Sequence, residues 1–149
     1  MSHAMTKDER EAFLAGLHVG VLAIPEPGRG PLTAPIWYAY EPGGEVRVLT
    51  DRASRKGRLL APGVRVSLVP QTEAPPYQYV SVEGPVVSVV RSEVERDTRP
   101  MAHRYLGREL GDRYVAATAG ERAAGGSLLV RIRPERWLTV DYRKDFRTP

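Results

Sequence analysis

The sequence predicts a mainly β (α+β) domain in which six or seven antiparallel strands form a closed or partly closed barrel with short peripheral helices. Three observations lead to this fold class. Segments with alternating apolar residues recur along the chain, and short turns rich in glycine and proline join most of them. The alternation of strands and helices and the Gly-x-Gly-x-x-Gly motif of dinucleotide-binding folds are missing. The 149 residues fit one domain, in which we expect residues 1–5 to be disordered or a remnant of the expression vector.

Strands are predicted at 19–24, 32–40, 45–50, 64–69, 127–132 and 137–140, with one or two more within 77–90. Pro35 restricts the strand 32–40 to an edge or irregular position, because proline has no N–H group to donate to a neighbouring strand. The pair Gly84-Pro85 indicates a bulge or a bend in the strand region 77–90.

Helices are predicted from their start signals. Thr6 followed three residues later by Glu9 has the form of a capping box and predicts a helix over 7–17. Ser92 and Glu95 repeat that pattern and predict a helical stretch to about residue 106, interrupted near Pro100. Shorter helices are expected at 54–61 and 109–119, and residues 141–149 read as a polar tail.

The composition excludes several classes of site. There are no cysteines, so disulfides and thiolate chemistry are impossible, and the three histidines lack metal-ligand spacing. The net charge of +4 comes from arginines spread along the chain, which favours a solvated surface over a nucleic-acid-binding domain. No apolar run reaches the ~20 residues of a membrane span and no secretory signal is recognisable, so we expect a cytosolic protein. No motif identifies a catalytic residue.

The candidate site follows the strand 45–50. Ser54 stands where it can cap a helix, and Arg55, Lys56 and Arg58 add positive charge at that helix start. Unpaired backbone N–H groups and cationic side chains together bind phosphate well. A solvated basic helix start has the same composition, and the residues by themselves do not decide between these two interpretations.

The same segment resembles the cofactor-binding stretch of the pyridoxamine phosphate oxidase-like proteins, the flavin and deazaflavin split-barrel superfamily. The pattern is a strand ending in Leu49-Thr50, a short loop, and a helix opened by Ser54-Arg55-Lys56. The similarity extends to residues 19–23, 34–38, 64–68 and 79–84, and residues 103–107 and 134–137 resemble the actinobacterial branch of the family.

The resemblance implies a homodimeric split β-barrel with two cofactors at the dimer interface. In such a protein, strand end 49–50 would contact the cofactor ring and residues 54–56 would hold its phosphate, while Pro35 and Trp37 would line the ring and Tyr79 would reach it from the partner subunit. The expected cofactor-binding residues are Pro35, Trp37, Leu49, Thr50, Ser54, Arg55, Lys56, Arg58 and Tyr79.

Two departures narrow the expected function. True pyridoxamine phosphate oxidases carry a glutamine near the position where this chain has Tyr79, and they carry a C-terminal Arg-x-His motif, which is missing here. We therefore expect an oxidoreductase that uses coenzyme F-420 or FMN to transfer a hydride to a small unsaturated or quinone-like molecule. The segment Trp-Leu-Thr-Val-Asp-Tyr at 137–142, near the C-terminus, favours coenzyme F-420. The alternative is a non-catalytic protein that binds or sequesters FMN, F-420 or haem.

Overall fold

One antiparallel sheet, curled into a half-barrel, makes up most of residues 2–146, the part of the chain that the computed structural model describes. Its strands are β1 (Gly20–Ile24), β2 (Leu32–Ile36), β3 (Tyr38–Ala39), β4 (Val46–Asp51), β5 (Arg65–Pro70), β6 (Gln78–Arg91), β7 (Ser127–Ile132) and β8 (Arg136–Asp141). The helices are α1 (Lys7–Ala15), α2 (Arg55–Leu59), α3 (Arg99–Ala117) and α4 (Ala119–Gly125). The mainly β, antiparallel fold predicted from the sequence is confirmed.

The strand order is β2-β1-β5-β6-β7-β4-β3, and β8 pairs with β6. The segment predicted as one strand over 32–40 is two strands, which accounts for the higher strand number. β2 pairs with β1 and β3 pairs with β4, and the change of partner falls at Trp37. Pro35 lies opposite Val21 on the edge strand β2, as predicted, so its missing N–H group interrupts no ladder between strands.

Strand β6 is the longest and holds the two halves of the sheet together. Its first half pairs with β5 and β8, and its second half, from Val86, pairs with β7. The irregularity expected at Gly84-Pro85 lies slightly further on, as a register shift between Val86 and Ser88. The strand therefore does not end there but changes partners, which is how one strand can serve both halves of a split barrel.

The core lies inside the curled sheet, where α1 covers it. Seven of its side chains have no exposed surface: Leu14, Leu22, Ile24, Tyr38, Val46, Val48 and Val130. Arg104 on α3 ties this core to the helices, since its guanidinium donates to the carbonyl oxygens of Ala15, Gly16 and Tyr38 at 2.8–3.2 Å.

Substituting Tyr38 with phenylalanine tests the buried polar contact in this core. The Tyr38 hydroxyl donates to the carbonyl oxygen of Leu14 at 2.7 Å, and burial raises the pKa of the phenol. Without the hydroxyl, a buried carbonyl loses its partner, so we expect the free energy of unfolding in urea to fall by about 1–3 kcal/mol. An unchanged unfolding midpoint would show that water replaces the hydroxyl.

The N-terminal segment differs from the expectation of disorder. Met5 is buried, its N–H group donates to Thr139 Oγ1 at 2.9 Å, and the N–H group of Asp141 donates to the His3 carbonyl oxygen at 2.8 Å. These bonds attach residues 2–5 to β8, whose edge would otherwise lack partners. The capping box of Thr6 and Glu9 is present as predicted, while residues 1 and 147–149 lie outside the described range.

Acid is expected to weaken this N-terminal attachment. Hydrogen bonding from the Thr6 backbone, and then from Lys144, lowers the pKa of Glu9 to about 2 from 4.5. A lowered pKa in the folded state gives stability that is present above about pH 4.5 and lost as the pH falls through 2. Urea unfolding at several pH values should therefore show a smaller acid-dependent loss of stability in Glu9→Gln than in the wild type. An equal loss in both proteins would assign the effect to other carboxylates.

The helical region after β6 corrects two expectations. Ser92 and Glu95 form no capping box, because the Ser92 N–H group donates to Ser127 and Glu95 pairs with Arg99. A π-helical turn (Val94–Thr98) begins the region instead, and Pro100 lies in the first turn of α3, where its missing N–H group is not needed. The interruption is at Gly107, whose φ of 79° breaks the helix.

Two elements were not predicted, namely α4 and a 3-10 turn at Tyr142–Phe146, which lies in the segment expected to be a polar tail. None of the helices in residues 2–146 combines the length and the apolar character that crossing a bilayer requires.

Candidate functional site

A pocket of about 380 Å³ opens between the ends of β2 and β4 on one side and the helices α3 and α4 on the other. This volume lies in the range of small-molecule sites. Six of the expected residues line the strand side: Pro35, Trp37, Leu49, Thr50, Ser54 and Lys56. Residues 55, 58 and 79 do not line it.

The corner between β4 and α2 is held by three hydroxyl contacts. Ser54 caps α2 as predicted, accepting from the Gly57 N–H group at 3.0 Å and donating to the Asp51 carbonyl oxygen at 2.7 Å. Thr50 Oγ1 lies 3.1 Å from Ser54 Oγ, and because the single Ser54 proton is used on Asp51, Thr50 is the donor. Both hydroxyl protons are thus used within the turn, and Ser54 would have to leave Asp51 to donate to a phosphate.

Gly57 makes this tight corner possible. A Cβ atom at this position would lie 2.2 Å from the Asp51 carbonyl oxygen and 2.8 Å from that of Arg52, both of them backbone atoms. Only a residue without a side chain lets α2 approach the end of β4 so closely. The geometry that brings Lys56 to the pocket therefore depends on this glycine.

The three cations of the turn have different surroundings. The Lys56 side chain is partly buried in the pocket wall, and its ammonium has no carboxylate or hydrogen-bond partner among residues 2–146. Arg55 instead pairs with Glu26 in the β1–β2 turn, where Nε donates at 3.1 Å, and this hydrogen bond lowers the pKa of Glu26. Arg58 donates to the Ala53 carbonyl oxygen and lines a second groove together with Arg52.

Trp37 is the aromatic wall of the pocket. Its ring stacks on Tyr105 of α3, with centroids 5.0 Å apart and planes at 5°, and lies at 50° to Tyr114 with centroids 5.3 Å apart. The Tyr105 hydroxyl accepts from the Tyr38 N–H group at 3.0 Å and donates to the His18 carbonyl oxygen at 2.6 Å. Tyr105, fixed by these hydrogen bonds, therefore holds the Trp37 ring in one orientation.

The helix side of the pocket was not anticipated from the sequence. It consists of Thr98, Met101, Tyr114, Thr118, Glu121 and Arg122. Their spacing indicates only an ordinary helix, and no motif connects them to the β4–α2 corner. The aromatic character of Tyr114 was the one available signal, and it becomes informative only once α3 is known to fold back over Trp37.

Tyr79 lies outside the pocket on the outward face of β6, opposite Val140 of β8. The pocket itself contains two cations, Lys56 and Arg122, and two carboxylates, Asp51 and Glu121. Among residues 2–146, no group of three or more histidine, aspartate or glutamate side chains is arranged to hold a metal ion.

Comparison with known proteins agrees with this architecture. A conserved hypothetical protein, Rv2991, from Mycobacterium tuberculosis is similar over 100% of this chain and 93% of its own, with 24% identity and a TM-score of 0.75. An F420 reductase is similar over 86% of this chain and 94% of its own, with 21% identity and a TM-score of 0.58. A Mycobacterium smegmatis FAD-binding protein matches over 91% of this chain and 94% of its own, at 15% identity and a TM-score of 0.58.

At these identities, the likeness to solved structures shows the fold alone. No curated protein matches the chain. The model of the family described as pyridoxamine 5'-phosphate oxidase matches residues 6–141, which is most of the sequence. The chain belongs to the pyridoxamine 5'-phosphate oxidase family.

Proposed function

We propose that the protein binds a phosphorylated deazaflavin or flavin, coenzyme F-420 or FMN, and uses it to reduce a small unsaturated or quinone-like molecule. The family supports a flavin-related function, and the names of two similar structures, an F420 reductase and an FAD-binding protein, agree with it. The observation that carries the proposal is the unpaired Lys56 ammonium in a pocket with an aromatic wall.

The residues present fit such a cofactor. Leu49 and Thr50 end a strand at the pocket floor, and Trp37 offers a flat wall fixed by Tyr105. A partly buried cation without a carboxylate partner is stabilised by an anion, which the phosphate provides. Lys56 is therefore the main phosphate contact of this proposal, Ser54 shapes the turn, and Arg55 adds to the site only if its pair with Glu26 opens.

When bound in its reduced form, the cofactor supplies a hydride, and the acceptor gains that hydride and one proton from water, two electrons in total. The chain's own contribution is position. Trp37 and the β4 end set the orientation of the ring, Lys56 sets its depth, and the helices α3 and α4 form the opposite wall. This hydride transfer requires no acid or base side chain of the protein, which fits the lack of a recognisable catalytic motif.

The homodimer expected from the resemblance is part of this proposal. Val19, just before β1, and Val21 on β1 are 52% and 37% exposed, and Leu138 on β8 is 63% exposed, although all three are apolar. Val21 and Leu138 share the outward face of the sheet with Pro35 and Tyr79, and Val19 and Pro35 also line the pocket. An apolar sheet face that continues into the pocket is suited to a second copy of the chain, whose own Tyr79 would then come close to the ring.

A charge on this face should separate the two copies. We expect Leu138→Glu to be monomeric in size-exclusion chromatography with light scattering, because a carboxylate cannot be buried there without a partner. Leu110→Glu is the matched control, since Leu110 is an exposed leucine, 55% accessible, on the helix α3 and not on the sheet. A Leu138→Glu protein of unchanged mass would place the interface elsewhere.

The cofactor is identified by purification from a host that makes both candidates, followed by a visible spectrum and the mass of the released molecule. A deazaflavin or FMN mass supports the proposal and decides between the two. A colourless protein that cannot be loaded with either contradicts it. The cytoplasmic location expected from the sequence stays a prediction, which fractionation of that host tests.

Turnover separates an enzyme from a sequestering protein. The complex with reduced cofactor is mixed with quinones and unsaturated small molecules, and reoxidation is compared with the rate for free cofactor. Acceleration by the protein supports the oxidoreductase. Rates at or below those of the free cofactor, with every acceptor tried, favour the binding or sequestering protein.

A further inference from the structure

Arg122 of α4 is the cation on the helix side of the pocket. It is partly buried, and it donates one hydrogen bond to Thr118 Oγ1 and one to the Val115 carbonyl oxygen. Both acceptors are neutral, and no carboxylate in residues 2–146 forms an ion pair with this guanidinium. The neighbouring Glu121 also lines the pocket, but it is exposed and does not pair with Arg122.

These contacts prepare Arg122 for an anionic ligand. The two bonds hold the planar group in one orientation, so little side-chain freedom remains to be lost on binding. Three of its five N–H groups have no partner in the described part of the chain. A fixed guanidinium with unused donors recognises a carboxylate or phosphate better than an ammonium does, because two parallel bonds can form.

Thr98 lines the same wall of the pocket. It is 7% exposed, and its hydroxyl has no hydrogen-bond partner in residues 2–146. The hydroxyl oxygen itself is buried, so Thr98 contributes the shape of the wall and not a hydrogen bond to a molecule in the pocket. Thr98 joins the π-helical turn to α3, a position separate in sequence from Arg122.

The surface between these residues is flat and apolar. Tyr114 is 39% exposed, and its ring centroid lies 5.3 Å from that of Trp37. A planar unsaturated molecule can lie against this aromatic pair while an attached oxyanion reaches Arg122.

We propose that the wall of Thr98, Tyr114 and Arg122 is the subsite for the substrate, and that it selects planar unsaturated molecules bearing a carboxylate or phosphate. The inference rests on the proposed function in one respect, namely that the Lys56 side of the pocket belongs to the cofactor. The pocket then has two anion sites, one for the cofactor at Lys56 and one for the acceptor at Arg122.

The probe for this subsite is 4-fluorocinnamate, with the neutral 4-fluorocinnamamide as its isostere, and ¹⁹F NMR of the cofactor-free protein measures binding. We expect the carboxylate to bind at least tenfold more tightly than the amide in the wild type. Arg122→Gln should remove that preference and leave amide binding unchanged. Arg113→Gln, an exposed arginine on α3, is the matched control and should behave as the wild type.

Two milder variants keep the test decisive if Arg122→Gln does not fold. Glu121→Gln removes a negative charge from the same wall and should strengthen carboxylate binding two- to threefold. Tyr114→Leu removes the aromatic ring from the same wall and should weaken binding of the carboxylate and the amide alike, at least threefold. No change in either variant overturns the proposal, as does equal binding of the carboxylate and the amide to the wild type.

Lys56→Met distinguishes the two anion sites. It should leave 4-fluorocinnamate binding unchanged and weaken binding of FMN or F-420. If it abolishes 4-fluorocinnamate binding while Arg122→Gln does not, the anion sits at the cofactor end, and the substrate subsite is wrong although the proposed function stands. If neither cofactor binds but Arg122 still selects the carboxylate, the proposed function fails and the subsite remains. A phosphonate in place of the carboxylate shows which anion the wall prefers.

Discussion

Replacing Lys56 with methionine is expected to raise the dissociation constant of FMN or coenzyme F-420 by about 10- to 100-fold. The ammonium is the pocket cation nearest in sequence to the β4–α2 corner and has no carboxylate partner within the described chain. A charged hydrogen bond contributes about 1.5–3 kcal/mol, which corresponds to this change in affinity. Methionine keeps the length of the side chain, so the loss reports the charge.

Riboflavin, which lacks the phosphate, provides the control ligand, and its affinity should not change in the variant. Arg55→Met is the control protein, because Glu26 already neutralises that arginine, and we expect less than a threefold effect. If Arg55→Met weakens FMN binding as much as Lys56→Met does, the pair with Glu26 opens on binding and the phosphate lies on the Arg55 side. If the double variant of Arg55 and Lys56 binds FMN and coenzyme F-420 as tightly as the wild type does, the phosphate assignment is wrong.

Replacing Gly84 with alanine is expected to cost about 3 kcal/mol or more of the free energy of unfolding. A Cβ atom at Gly84 would lie 1.7 Å from the carbonyl oxygen of Arg133 and 2.8 Å from its carbonyl carbon. Overpacking against side chains costs about 1–3 kcal/mol, and a clash with backbone relaxes less easily. The segment after β7 cannot retreat, because Arg133 and Glu135 donate backbone hydrogen bonds to Pro85 and Glu83 of β6.

Urea unfolding measures this effect, with Gly30→Ala as the control. A Cβ atom at Gly30 meets no atom within 4 Å, and we expect its unfolding free energy to stay within about 0.5 kcal/mol of the wild type. A Gly84→Ala protein as stable as this control would show that the β7–β8 connection can move away from β6. The sheet would then tolerate a larger distance between Gly84 of β6 and the backbone of Arg133.

The parts of the fold that the sequence predicted well depend on neighbours in the chain. The capping box of Thr6 and Glu9, the cap at Ser54 and the edge position of Pro35 all involve residues a few positions apart or a property of one residue. The same reasoning failed at Ser92, because the backbone there pairs with Ser127 of β7, and the local pattern predicts that strand but not its pairing with Ser92. Competition from a distant partner overrides a local start signal.

The same difference between neighbouring residues and distant partners applies to the candidate site. Six of the nine expected residues line the pocket, and all six lie on β2, β4 and α2 or directly between these elements. Arg55 leaves the pocket wall for a glutamate 29 positions earlier in the chain, and Tyr79 lies on the outward face of β6, outside the pocket. Neither placement is visible in the spacing of the residues.

The sequence by itself determined the antiparallel β-rich class, the turn that presents Lys56 and the family to which the chain belongs, because periodicity, caps and motif order are local properties. Only the tertiary structure decided which cations remain unpaired and what closes the pocket. Lys56 and Arg122 are separated by 66 positions and become two sides of one cavity when α3 folds back over Trp37. Charge pairing and enclosure depend on distances in space, which residue order does not specify.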